Sequence, residues 1–170
     1  DLAGLCLFAA FLGTGRAIYG KSGHRIDVSK VMLAGSLFTI GCYLVAALSP
    51  WPLVSLAACA MCGLGTSLLW PGSVVNAADR FPLAGASLFA LLAAGGDTGA
   101  AVGPWLVGLV ADINPTLVKA FPWLSSLSDQ QTALRSGMLF ATIYPVLMVG
   151  ALLAMRHFKR KEHHEIPLIE

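Results

Sequence analysis

The chain has 170 residues and a formal net charge of +2, with 56% hydrophobic side chains and only 12% charged ones. An ordinary globular chain carries roughly 25% charged residues, and a soluble domain of this length needs more polar surface than eleven basic and nine acidic groups provide. With a mean hydropathy of +0.75, the composition excludes a soluble enzyme, a disordered tail and a basic nucleic-acid binder, and it implies an all-α, polytopic membrane helix bundle.

A membrane-crossing helix needs about 20 mainly apolar residues, and five segments meet that length. The first runs over Leu2–Tyr19 and starts at once after Asp1, with no basic leader or small-residue cleavage site. The chain is therefore expected to open at a cut helix end, with spans missing before it. The second runs over Val31–Leu48, and the uncharged Ser49-Pro50-Trp51-Pro52 after it predicts a tight turn, because Pro fixes its own φ and restricts its neighbour. The third covers Leu53–Val75 and the fourth Ala84–Val110. The segment Asn114–Ser128, rich in Pro, Ser and aromatic residues, reads as a loop on the interface. The fifth span covers Gly137–Ala154, and Ser128 with Gln131 reads as a capping box that starts its helix before it enters the bilayer. None of the five alternates like a barrel strand, and a helix satisfies its backbone in lipid without partners. Residues 1–160 thus form one transmembrane lobe, and residues 161–170 a tail.

Lys and Arg set the orientation. Lys21, Arg25 and Lys30 lie in the first connection, Arg80 in the third, and Arg156, Lys159, Arg160 and Lys161 toward the C-terminus. This side is expected to be cytoplasmic, with the N-terminus outside, in a plasma (inner) membrane. Trp51, Trp105 and Trp123 then fall near outer span ends, where an amphipathic ring is best placed. The basic cluster before the tail is expected to rest on anionic headgroups at about 1 kcal/mol per charge.

Several short motifs look like chemistry. Gly15 through Gly20-Lys21-Ser22 matches a phosphate-binding loop letter for letter, but that mechanism needs a strand before it and a helix opening at the Lys. A basic hairpin between two spans is the better reading. Asp97-Thr98-Gly99 spells the aspartic-protease triplet, which needs a second carboxylate sharing its proton; no other acid lies inside a span. Cys59 and Cys62, like Cys6 and Cys42, read as small apolar residues, and His163-His164 as part of a solvated tail. No metal site, cofactor, catalytic set or nucleic-acid surface is implied, so the chain does not read as an enzyme.

Two features remain. In the fourth span Gly95, Gly99 and Gly103 recur every fourth residue, a smooth stripe where a backbone can approach closely, and Pro104 can bend the helix. Asp97 in the same span is the one deeply placed acid, at a cost of at least about 2.5–3.5 kcal/mol on insertion scales unless it faces water or a partner. In the third span Gly63, Gly65, Trp70-Pro71-Gly72 and Asn76 interrupt an apolar run with groups that stack and hydrogen-bond. Interrupted helices with a few polar groups point to a transporter site.

The order of these features resembles the C-terminal half of a major facilitator superfamily transporter. The basic stretch Gly15-Arg16, Gly20-Lys21, Gly23-His24-Arg25 is similar to that family's cytoplasmic motif between the eighth and ninth spans, with Tyr19 where its Asp is expected and the Gly spacing one residue longer. The run from Gly63-Leu64-Gly65 through Trp70-Pro71, Asn76, Asp79-Arg80-Phe81-Pro82, Gly95-Gly96-Asp97 and Gly103-Pro104 resembles the tenth and eleventh spans, most closely those of fucose-permease-like sugar transporters. The resemblance implies spans eight to twelve of a twelve-helix, two-lobed carrier that works by alternating access. It implies a small solute such as a sugar, a coupling ion, and an N-terminal lobe of the same protein as partners. Carried over, the cavity residues are Trp70, Asn76, Asp97 and Thr98, with Arg16 near the cytoplasmic mouth. A competing reading is a non-transporting scaffold that assembles through the Gly95/Gly99/Gly103 face.

Overall fold

The computed structural model describes residues 2–22, 27–113, 121, 124 and 128–165; for residues 22 and 158–165 it describes the backbone only. The elements are α1 (Leu2–Ser22), α2 (Val28–Leu48), α3 (Pro52–Thr66), α4 (Leu69–Arg80), α5 (Gly85–Ile113), α6 (Asp129–Ala141) and α7 (Ile143–Glu165). No strand occurs among the described residues. Five stretches are long and apolar enough to cross a membrane: Leu2–Lys21, Val28–Leu48, Pro52–Arg80, Gly85–Ile113 and Asp129–His157. The chain is an integral membrane helix bundle.

Local chemistry sets the helix ends. Asp27 caps α2 by accepting from the Ser29 N–H at 3.0 Å, and Pro52 opens α3 where its missing N–H is harmless. Ser128 caps α6, its Oγ accepting from the Gln131 N–H at 3.4 Å, so that helix does begin well before the apolar run. The first helix runs three residues past the expected Tyr19, to Ser22. Gly20 weakens a helix without ending it, and Lys21 in the last turn favours continuation through the helix dipole. Gly15, Gly20 and Lys21 are therefore helical rather than part of a hairpin loop, while Gly23, Arg25 and Trp123 lie outside the described residues.

Two spans are broken in the middle. The third divides at Ser67–Leu68, four and three residues before Pro71, and the fifth at Thr142, three residues before Pro145. Proline lacks the N–H that would bond four residues back, and its ring crowds that carbonyl. Pro104 has the same chemistry, yet α5 continues through it.

Small residues dominate the buried α2–α3 faces. Met32, Ser36, Thr39, Cys42, Ala46 and Ala47 form the buried face of α2, and Ala58, Ala60, Cys62, Gly63 and Gly65 that of α3. Lipid tails are as apolar as Leu, so bundle helices gain by close approach rather than by burying bulk. Helix α3 lies between α1 and α2. A Cβ on Gly63 would stand 3.1 Å from the Leu12 backbone nitrogen of α1, and one on Gly65 2.9 Å from the Gly35 carbonyl oxygen of α2. Hydroxyls inside the bundle bond their own helix, Ser36 Oγ to the Met32 carbonyl and Thr39 Oγ1 to that of Gly35, each at 2.8 Å. Helix α5 sits at the margin with no buried residue. It meets α6 where a Cβ on Gly137 would lie 3.1 Å from Val107.

Arg135 of α6 ties the bundle across the Pro50 turn. Its Nη1 donates to the Ser49 carbonyl and, at 3.4 Å, to that of Ala47, the orphan acceptors at the end of α2. Arg135→Ala is expected to lower stability by about 1–3 kcal/mol, the cost of unsatisfied carbonyls. Arg135→Lys should recover part of it, because Lys donates but lacks the fork. Melting curves in detergent read both, and an Ala variant that melts with wild type would show that the cap contributes nothing.

Candidate functional site

Pro71 generates the site. The carbonyl it deprives of a helical donor is that of Ser67, a buried residue. Arg16 of α1 supplies the missing bond, its Nε donating to the Ser67 oxygen at 3.2 Å. The two helices can approach because residue 15 is Gly, where a Cβ would lie 2.8 Å from the Ser67 Cβ. Ser67 Oγ turns back onto the Leu64 carbonyl at 2.7 Å, and the ladder resumes with the Gly72 N–H on the Leu68 carbonyl at 2.8 Å.

The break opens a groove of about 250 Å³ between α1 and the start of α4, lined by Arg16, Tyr19, Gly20, Leu68, Trp70 and Pro71. It lies beside the last six residues of the span Leu2–Lys21 and level with the first turn of α2, where a Cβ on Gly72 would meet Val28 and Met32. Trp70 is 48% exposed, and its ring lies over Gly96 of α5, where a Cβ would come within 2.7 Å of the ring edge. Only a glycine at 96 lets the indole lie there, so α5 supports the groove from behind. Beyond the Ser67 bond, no protein group among the described residues takes the remaining guanidinium hydrogens of Arg16.

Of the residues singled out in the sequence, Arg16 and Trp70 meet in this groove, with Gly15 and Gly20 shaping its α1 wall. Asn76 faces elsewhere. Six residues beyond Trp70, it is turned about 120° around the helix and holds α4 to α2, accepting from Ser29 Oγ at 3.1 Å and donating to Met32 Sδ at 3.2 Å. Asp97 and Thr98 are exposed on α5; Thr98 Oγ1 bonds its own helix at Ala94, 2.7 Å away, and Asp97 makes no hydrogen bond or ion pair among the described residues. Gly95, Gly99 and Gly103 have nothing within 4 Å of an added Cβ, so their stripe is open. The Gly103 carbonyl accepts from the Tyr144 hydroxyl at 3.1 Å.

Tyr19, Ser67 and Gly96 were not legible as site residues. The offset from Pro71 back to Ser67 was a usable signal for a free carbonyl, but nothing local says which helix brings the donor. Compared with family models, curated proteins and solved structures, the chain has no match.

Proposed function

We propose that the chain is one lobe of a secondary active transporter of the major facilitator type. It moves a small organic solute, a sugar by the subgroup resemblance, across the plasma (inner) membrane by alternating access against a second lobe, driven by a coupling ion. The N-terminus lies outside and the C-terminus in the cytoplasm. The observation that carries this reading is a span broken at Ser67–Leu68, with Arg16 from the last turns of α1 and an exposed Trp70 beside the break. Discontinuous helices lined by a few polar groups are how carriers build solute sites that can open to either side.

Uptake of solute into proteoliposomes by the full-length protein, both lobes together, under an ion gradient tests it, and failure of every gradient to drive accumulation would end the transport reading. Asp97→Asn is expected to change solute affinity or the pH dependence of uptake, because the substitution removes the one acid set deep in a span. Identical kinetics across pH would take Asp97 out of the coupling step.

The second reading, a scaffold, is favoured by one observation: an added Cβ at Gly95, Gly99 or Gly103 would meet nothing within 4 Å, on a helix with no buried residue. Gly99→Leu separates the two. A scaffold should lose self-association in crosslinking and light scattering, whereas a carrier without that contact should keep its oligomeric state.

A further inference from the structure

We infer that the groove at the α3–α4 break takes a small organic anion: an acidic head held by Arg16, and a flat apolar body laid against Trp70. This replaces the sugar of the transport reading with an organic anion as the solute class, and rests on that reading only for the statement that the anion is cargo.

Charge is the first ground. A guanidinium in a groove that holds no acid favours an anionic occupant. Lys30 and Asp27 form a salt bridge, 3.9 Å apart, at the exposed start of α2. Arg16 makes no ion pair among the described residues, and no acid lines the groove. The Ser67 carbonyl takes only the Nε hydrogen. The amino end of the fork, the part that pairs two parallel bonds with a carboxylate, sulfonate or phosphate, has no acceptor among the described residues. The Ser67 bond also orients the guanidinium before any ligand arrives, which reduces the ordering cost of binding.

The walls are the second ground. Apart from Arg16, the groove offers the Tyr19 ring, the half-exposed Trp70 indole, Leu68 and the Pro71 ring. A neutral sugar presents hydroxyls around its whole edge, each needing a partner once desolvated, and one guanidinium with one phenol cannot supply them. A ring or short apolar chain carrying one acidic group matches this lining instead. At about 250 Å³ the space lies below the roughly 300–1,000 Å³ of pockets for drug-sized ligands, which sets a small occupant.

The test uses tritiated benzenesulfonate, a permanently charged probe, and its neutral isostere benzenesulfonamide, with the full chain in phosphatidylcholine nanodiscs. Saturable binding of the sulfonate is expected, with no competition by the sulfonamide or by D-glucose. Arg16→Gln should weaken it by about tenfold or more, as expected for loss of hydrogen bonds to a charged group, with Arg16→Lys in between. Trp70→Leu should also weaken it while leaving helicity and elution volume unchanged. If Arg16→Gln does not fold, the sulfonate–sulfonamide difference and Trp70→Leu decide. No sulfonate binding, equal binding of the sulfonamide, or displacement by phosphatidylglycerol doped into the nanodisc would each overturn the assignment, the last by making the occupant a lipid headgroup. Accumulation of D-glucose by proteoliposomes without sulfonate binding would leave the transport reading standing and this one fallen. Arg16-dependent sulfonate binding with no accumulation of any solute would do the reverse.

Discussion

Gly65→Ala is expected to destabilise the bundle by about 1–3 kcal/mol, the range for overpacking a tight interior, and Gly65→Leu to leave no folded protein. A Cβ at this position would stand 2.9 Å from the Gly35 carbonyl oxygen and 3.1 Å from Phe38 Cδ1, and closer still to Thr39 Oγ1. None of these can step aside cheaply. The Gly35 carbonyl is helix backbone, and the Thr39 hydroxyl is bonded to it at 2.8 Å. Inserting one methyl group therefore separates α2 from α3, the pair on which α1 and α4 also pack. Gly4→Ala is the first control: its Cβ would meet only Leu56 Cδ1, at 2.9 Å, the end of a flexible side chain. Gly99→Ala is the second. With nothing within 4 Å, it should be neutral or gain the roughly 0.5–1 kcal/mol that Ala holds over Gly in a helix. A thiol-reactive fluorophore reads all three, because Cys42 and Cys62 are buried on α2 and α3 while Cys6 is exposed and reports the baseline. Gly65→Ala melting with wild type would mean that α2 and α3 do not meet through these backbones.

The five spans were legible because a run of about twenty apolar residues matches the thickness of the bilayer core and little else, and the connection at Pro50 because proline restricts its own and the preceding residue. The breaks were less so. Pro71, Pro104 and Pro145 carry identical local chemistry, but only the first and last divide a helix. The difference at Pro71 is tertiary: a donor on α1, fifty-one residues away in the chain, holds the freed carbonyl open. The buried face of α2 is also illegible from hydropathy, since all its faces are apolar; apart from Met32, its small residues turn inward. Arg16 and Trp70 stood out as polar or amphipathic groups within spans, and so did Asn76. That Asn76 serves the α2–α4 contact depends on Ser29 and Met32 arriving opposite it, which no local spacing encodes.

On the transport function proposed above, Pro71→Ala is expected to raise the melting temperature while lowering solute uptake by about tenfold or more, the equivalent of losing one charge-assisted contact. The new N–H at position 71 can bond the Ser67 carbonyl, the helix gains a residue with no propensity penalty, and α3 and α4 can close into one rod. A continuous helix carries Trp70 away from its place over Gly96 and removes the opening that Leu68 and Pro71 line. The double-mutant cycle with Arg16→Ala makes the cause specific. In wild type, Arg16→Ala strands a buried carbonyl, at about 1–3 kcal/mol. In the Pro71→Ala background that carbonyl already has a donor, so the same change should be nearly free. The expected coupling is about 1 kcal/mol or more, within the range for residues that share one hydrogen-bond network. Additive losses would mean that Arg16 does not hold the Ser67 carbonyl. A thermally stabilised Pro71→Ala protein with unchanged uptake would show that the break has no part in the proposed transport.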